Sequence, residues 1–315
     1  MTKALSLIGL PYLFGLRQPS PRNAMALGPR ALLSDKNFIT NLEQNFGDLS
    51  VELIEDADDP SPEQTAGYYD ANVIGLFAGD QMSRVMVQNM RLARSVAAAH
   101  NAKRLPLVAN GTCTSALGMV AGLGSVENLG MIWFDAHDDA ETPETSTSGL
   151  IEGMPVSMIA GKCWQAYCRQ IPGFRIIPEE HIVSIGLHEK YLHKPKRGLR
   201  ALGQAVDPDA IARSGFDAAL SHALDRLRSY CQTVYIHVDV DVLDPSVLKA
   251  SHHIANGGLT ADQLRYAFTS IANRFEIAAL DFSSFDPTVD PKSVSVIAPL
   301  MLDAALAMKQ SRRCP

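Results

Sequence analysis

Short apolar runs alternate with longer amphipathic stretches along the whole chain, the pattern of a parallel sheet sandwiched by helices. Residues 4–10, 73–76, 105–109, 130–134, 182–186, 234–238 and 277–280 predict brief strands. Residues 81–100, 216–230, 261–272 and 293–308 carry apolar positions three and four apart and predict the crossover helices between them. Thr260 stands as an N-cap before the third helix, and Asn101 as a stop after the first. Pro60 and Pro62 mark a surface loop rather than a boundary. No repeat, low-complexity tract or linker interrupts the pattern. The expectation is one domain over residues 1–315, of the α/β class: a three-layer α/β/α sandwich with a parallel central sheet.

Composition narrows the function classes. The chain has 315 residues, 46% of them hydrophobic and 20% charged, as a soluble globular protein does. With 28 Lys and Arg against 34 Asp and Glu it has no field to collect a polyanion, so nucleic acid is not an expected partner. Cys113, Cys163, Cys168, Cys231 and Cys314 are odd in number and scattered, which argues for a reducing compartment; the expected location is cytoplasmic. The apolar run at residues 4–14 could pass for a signal segment. Only Lys3 precedes it, however, and Arg17 follows without a small-residue cleavage site, so it reads as the first buried strand. No stretch approaches the roughly 20 apolar residues of a membrane helix, and no membrane partner is expected.

In parallel α/β sheets ligands bind outside the carboxyl ends of the strands, so the residues that follow each apolar run carry weight. Asp135, His137 and Asp139 follow one run, Asp239 and Asp241 another, and Asn110, Gly111, Thr112 and Cys113 a third. Carboxylates and an imidazole at alternate positions converge only where the chain is extended or turns just past a strand end, which is what a metal site at the rim of a sheet requires. Oxygen-rich ligation with one imidazole suits Mn²⁺ or a related cation, and several carboxylates suit a pair of ions roughly 3.5–4 Å apart. The competing reading is that these acids cap loops or pair with arginines.

The segments WFDAHDDAETPETSTSGLIEGMP (residues 133–155) and IHVDVDVLDP (236–245) resemble the DAHxD and DxDxxDP regions of the arginase and agmatinase family, the ureohydrolases. The similarity extends to NGTCTS from Asn110, where the family usually has GGDHS, and to GGLT and the last strand at residues 257–287. It spans the chain from about Leu105 onward, and the first hundred residues match weakly. The resemblance implies an arginase-like fold and two Mn²⁺ ions bridged by Asp135 and Asp239, with Asp139 on the first ion and His137 and Asp241 on the second. It also implies hydrolysis of a guanidine or amidine carbon by water activated between the ions, Asp139 holding that water and assisting proton transfer.

Several positions depart from the family pattern. Cys113 stands where a histidine would ligate the first metal, which opens the site to Zn²⁺ or Fe²⁺; the alternative is a small buried cysteine without a metal contact. Glu152 stands where arginases carry a proton-shuttling histidine, with a solvated loop glutamate as the alternative. Ser284 replaces the glutamate that grips the guanidinium, and His253 replaces a threonine beside it. Glu141 and Leu150 take the places of two asparagines, while Ser148 is retained. Tyr191 and Lys194 lie where arginases place acids that read the substrate's α-amino group.

The expected site therefore has Cys113, Asp135, His137, Asp139, Asp239 and Asp241 on metal. Asp139, Glu152 and His253 are its expected catalytic groups, and Glu141, Ser148 and Ser284 its contacts to substrate. The expected activity is hydrolysis of a C–N bond in a small guanidine or amidine other than arginine, such as an N-hydroxyguanidine or a formimidoyl compound. The alternatives are an inactive scaffold with a structural or sensing role, and a cysteine nucleophile built on Cys113, for which the sequence offers no neighbouring base. The partner is a small-molecule substrate, and homo-oligomers are common in the family.

Overall fold

The computed structural model describes residues 4–13, 24–54, 81–188, 202–252 and 254–311. Its strands are β1 (Leu5–Leu10), β2 (Leu49–Leu53), β3 (Leu105–Asn110), β4 (Gly130–Phe134), β5 (Ile182–Ile185), β6 (Gln204–Val206), β7 (Thr233–Asp239) and β8 (Glu276–Ser283). They form one parallel sheet in the order β2-β1-β3-β8-β7-β4-β5-β6. The helices are α1 (Gly28–Ser34), α2 (Lys36–Phe46), α3 (Gln81–Asn101), α4 (Ala116–Gly122), α5 (Pro155–Ile159), α6 (Gln165–Cys168), α7 (Pro208–Ser214), α8 (Phe216–Arg228), α9 (Ala261–Ala272) and α10 (Ser293–Ser311).

Alternation along the buried strands builds two cores. Ile132 and Phe134 of β4, with Ile236 and Val238 of β7, face α2, α8, α9 and α10; Met131 and Trp133, with Tyr235, face α3, α4 and α5. Both faces of the inner strands are covered, the condition under which a parallel sheet is stable. The α/β/α sandwich expected from the pattern is the one observed. No helix among the described residues is long and apolar enough to cross a membrane.

Six of the seven predicted strands are present, and the seventh, at residues 73–76, lies outside the described residues. The pattern did not predict β2 and β6. The first is an edge strand with its central residues exposed, and the second has three residues, so neither shows a buried apolar run.

Register aligns the sheet's carboxyl rim. Phe134 pairs with Val238 and Asp239 with Ser283, so β4, β7 and β8 end nearly level, while Ala109 of β3 pairs with Phe282. One irregularity sets this alignment: Val234 pairs with Ile277 but Tyr235 with Ala279, a bulge that inserts Ala278 into β8.

Helix α9 starts as predicted. The Thr260 side chain accepts from Gln263 N and the Gln263 side chain accepts from Thr260 N, a reciprocal capping box. Removing the hydroxyl in Thr260→Ala leaves an amide of the first turn unpaired, so chemical denaturation should show a loss of about 1 kcal/mol.

Candidate metal centre

Four neighbouring strands deliver polar groups to one place. Cys113 follows β3, Ser283 ends β8 with Ser284 just beyond, Asp239 ends β7 with Asp241 just beyond, and Asp135 and His137 follow β4. Gly111 makes the approach of the Cys113 segment possible, because a Cβ there would lie 2.2 Å from the Tyr12 carbonyl oxygen.

Ligand-bearing atoms fall into two groups, Cys113–Asp135–Asp239 and Asp135–His137–Asp241, each with its atoms within 4.8 Å of one another. Asp135 belongs to both. Its carboxylate accepts from Trp133 Nε1 at 2.9 Å and from the His137 amide at 2.7 Å. His137 Nδ1 lies 3.2 Å from Asp135 Oδ1 and 3.1 Å from Asp241 Oδ2. Asp241 Oδ1 accepts from the Ala136 amide at 3.1 Å, and Asp239 Oδ1 from the Asp241 amide at 2.9 Å. The Cys113 thiol donates to Asp239 Oδ2 at 2.8 Å.

Electrostatics show what the cluster lacks. Burial, followed by repulsion from Asp241, raises the Asp135 carboxyl to about 6. Burial and the surrounding acids push Asp139 and Asp239 well above the ordinary carboxylate range. Burial, then Asp239, Asp139 and Asp135, does the same to the Cys113 thiol. At His137 burial works against the charged ring, but Asp241 and Asp135 outweigh it and hold the imidazole protonated. Burial of Asp241 is likewise outweighed by the His137 charge and by hydrogen bonds, and its carboxyl is lowered. The cluster thus concentrates buried acids whose charges a divalent cation would neutralise. Carboxylates with one imidazole and one thiolate fit Mn²⁺, Fe²⁺ or Zn²⁺.

The remaining expected residues are placed as follows. Asp139, expected on the first metal, falls in neither ligand group; it is half-buried, close enough for its charge to act on Cys113, and its backbone is in the left-handed region at φ 43°. Glu152 is not a solvated loop side chain. Its carboxylate accepts from the Thr112 hydroxyl, from Thr114 Oγ1 at 3.1 Å and from the Thr114 amide at 3.3 Å, clasping both neighbours of Cys113. Burial raises its pKa. Glu141 is buried beneath the turn at residues 151–153, its amide donating to the Gly153 carbonyl at 2.8 Å. Ser148 lies in an exposed loop and accepts from the Leu150 amide at 3.2 Å. Ser284 Oγ is 3.2 Å from the Cys113 sulfur. His253, Tyr191 and Lys194 lie outside the described residues.

Several residues of the site were not singled out in the sequence. Trp133, which holds Asp135, and Thr114, which with Thr112 holds Glu152, sit in segments that drew notice for other residues. His237 is buried in β7 and linked to Cys113 through Ser283, so a basic ring does lie one hydroxyl away from the thiol. A histidine inside an apolar run was the available signal.

A model of the arginase family matches residues 3–307. The arginase of Bacillus caldovelox is 30% identical over 304 residues, covering 95% of this chain and 97% of its own. Among solved structures, the arginase of Bacillus subtilis superposes with a TM-score of 0.76 at 26% identity, covering 96% of this chain and 98% of that one. A formimidoylglutamase of Bacillus subtilis shares the fold, with a TM-score of 0.68 at 19% identity over 98% of this chain and 87% of that one. The chain belongs to the arginase family.

Because Asp135 keeps its proton up to about 6 in the native protein against 3.8 ordinarily, native-state stability from that proton is present at low pH and lost as the pH rises through about 6. A bound cation takes over the neutralising role. The increase in Tm produced by saturating Mn²⁺ should therefore grow between about pH 4 and about pH 7. Thermal scans with and without Mn²⁺ across that range check it, and a constant increment would contradict it.

Proposed function

We propose that the protein is a dinuclear, Mn²⁺-dependent hydrolase that breaks a C–N bond in a small guanidine- or amidine-type molecule other than arginine, for example an N-hydroxyguanidine or a formimidoyl compound. The observation that carries this reading is the pair of ligand groups sharing Asp135 at the rim of the sheet. Cys113, Asp135, Asp139 and Asp239 would hold one cation, and Asp135, His137, Asp239 and Asp241 the other. Two such cations supply the Lewis acidity that makes water nucleophilic near neutral pH.

The chain's own groups do the rest. Asp139, half-buried beside the first ligand group, orients the nucleophile and accepts its proton. Glu152, with a raised pKa and its oxygens fixed by Thr112 and Thr114, holds the Cys113 segment and handles a second proton. His253 completes the catalytic set, and Glu141, Ser148 and Ser284 make up the contacts to substrate. Sequence relatives carry the name arginase, and the motif resemblance sets Ser284 where such proteins have a glutamate that grips a charged guanidinium. A serine there gives no counter-charge, which favours a less basic substrate. The described cysteines are all free and buried, which supports a reducing, cytoplasmic setting.

Elemental analysis of protein purified without chelator, followed by a substrate panel, tests this. Wild type should carry about two Mn²⁺ per chain, with less in Cys113→Ala and the full content restored in Cys113→His. N-hydroxyguanidines or formimidoyl compounds should turn over faster than arginine. Absence of metal from every form after Mn²⁺ loading would instead point to a non-catalytic scaffold. Glu152→Gln should lower turnover roughly 10²-fold, and unchanged turnover would remove Glu152 from the mechanism.

A further inference from the structure

Behind the ligand groups, a line of buried polar side chains leads to the sulfur of Cys113. It begins at Asp281 of β8, whose carboxylate accepts from Tyr235 Oη at 2.6 Å, Asn110 Nδ2 at 2.6 Å and His237 Nδ1 at 3.0 Å. Register explains the last of these, since His237 pairs with Asp281 on one side and with Trp133 on the other. The imidazole stacks on the Trp133 ring with centroids 3.7 Å apart. With Nδ1 committed to a carboxylate, Nε2 faces Ser283 Oγ at 3.3 Å, and that oxygen is in turn 3.3 Å from Cys113 Sγ. Ser284 Oγ stands 3.2 Å from the same sulfur and donates to Ser283 Oγ at 3.1 Å. Ser284 adopts a left-handed backbone, φ 66°, which non-glycine residues seldom do.

We infer that Ser283 and Ser284 are the hydrogen-bond donors to the sulfur of Cys113 when that sulfur holds a metal, and that His237, its Nδ1 committed to Asp281, is the competing acceptor for the Ser283 hydrogen. The inference rests on Cys113 being a ligand. A metal-bound sulfur is a thiolate: it has no hydrogen to give and can only accept. Asp239, which takes the thiol hydrogen at 2.8 Å, is itself an acceptor and has nothing to donate in return. The two hydroxyls at 3.2 and 3.3 Å do have hydrogens to give. By rotating its hydrogen from Ser283 to the sulfur, Ser284 exchanges a neutral acceptor for an anionic one, and such charge-assisted bonds are the stronger kind. Ser283 has one hydrogen and two acceptors at equal distance, His237 Nε2 and the sulfur, so a neutral nitrogen and an anionic sulfur compete for it and the charge-assisted bond is favoured. The competing ring is itself held by a carboxylate and an indole. Hydrogen bonds of this kind withdraw electron density from a ligating thiolate and tune the metal it holds.

The test is the absorption spectrum of the Co²⁺-loaded protein, where a ligating thiolate gives a sulfur-to-cobalt charge-transfer band in the near ultraviolet beside the visible d–d bands. Ser283→Ala and Ser284→Ala should each move the charge-transfer band to lower energy, and the double variant should move it further, because sulfur electrons relieved of a hydrogen bond are easier to promote. His237→Asn, which removes the competing acceptor, should move it in the opposite direction to Ser283→Ala. Loss of the band from the double variant with the d–d bands retained would also support the inference, the hydroxyls then being needed to keep sulfur on the metal. A band at wild-type energy in both single variants overturns it. A wild type without the band overturns the earlier step, the ligation by Cys113, and so separates the two failures.

Discussion

Anions placed out of water at the carboxyl rim of a parallel sheet set the terms for the rest of this molecule. Each buried carboxylate costs several kcal/mol unless something of opposite charge answers it. The chain places Asp135 and Asp241 within reach of the His137 imidazole, while Asp239 shares its group with Asp135 and the Cys113 sulfur. Backbone amides of Ala136, His137 and Asp241 and the Trp133 indole contribute partial positive charge, which orients the carboxylates without neutralising them. The all-parallel topology makes the convergence possible, because β3, β8, β7 and β4 lie side by side and all end at the same edge. A sheet with mixed strand directions would divide these groups between two edges.

The features that depart from the family pattern form a connected set. Cys113 is flanked by Thr112 and Thr114, and both are held by Glu152, so two positions at which the sequence departs from the family motifs are tied together through these threonines. On the other side of the sulfur stand Ser283 and Ser284. The motif resemblance sets Ser284 against a glutamate, and a carboxylate there would add a further negative charge beside Asp239 and the sulfur, where a hydroxyl adds none.

The fold was legible because its inner strands are buried on both faces and its long helices repeat every three to four residues. Edge strand β2 and the short β6 escaped because exposure and brevity remove the pattern on which such a reading depends. The acids of the site were legible for the opposite reason: Asp135, His137, Asp139, Asp239 and Asp241 are polar groups placed immediately after apolar runs. His237 lies inside such a run and Asp281 follows one but drew no notice, and each acquires meaning only when register sets one against the other. Glu152 and Thr112 stand forty residues apart, and no local pattern relates them.

The bulge in β8 acts on the site as a vernier. Were Ala278 not accommodated as an extra residue, Tyr235 would stand opposite Ala278 and His237 opposite Leu280, whose side chain belongs to the other face of the sheet. The imidazole would then meet hydrocarbon instead of a carboxylate, and Asp239 would end beside Phe282 rather than Ser283. A single inserted alanine, more than a strand's half-length from the ligands, thus sets the phase in which two strands present their chemistry to each other. Changes in length on either side of that alanine are changes in the wiring of the centre, even where no ligand is touched.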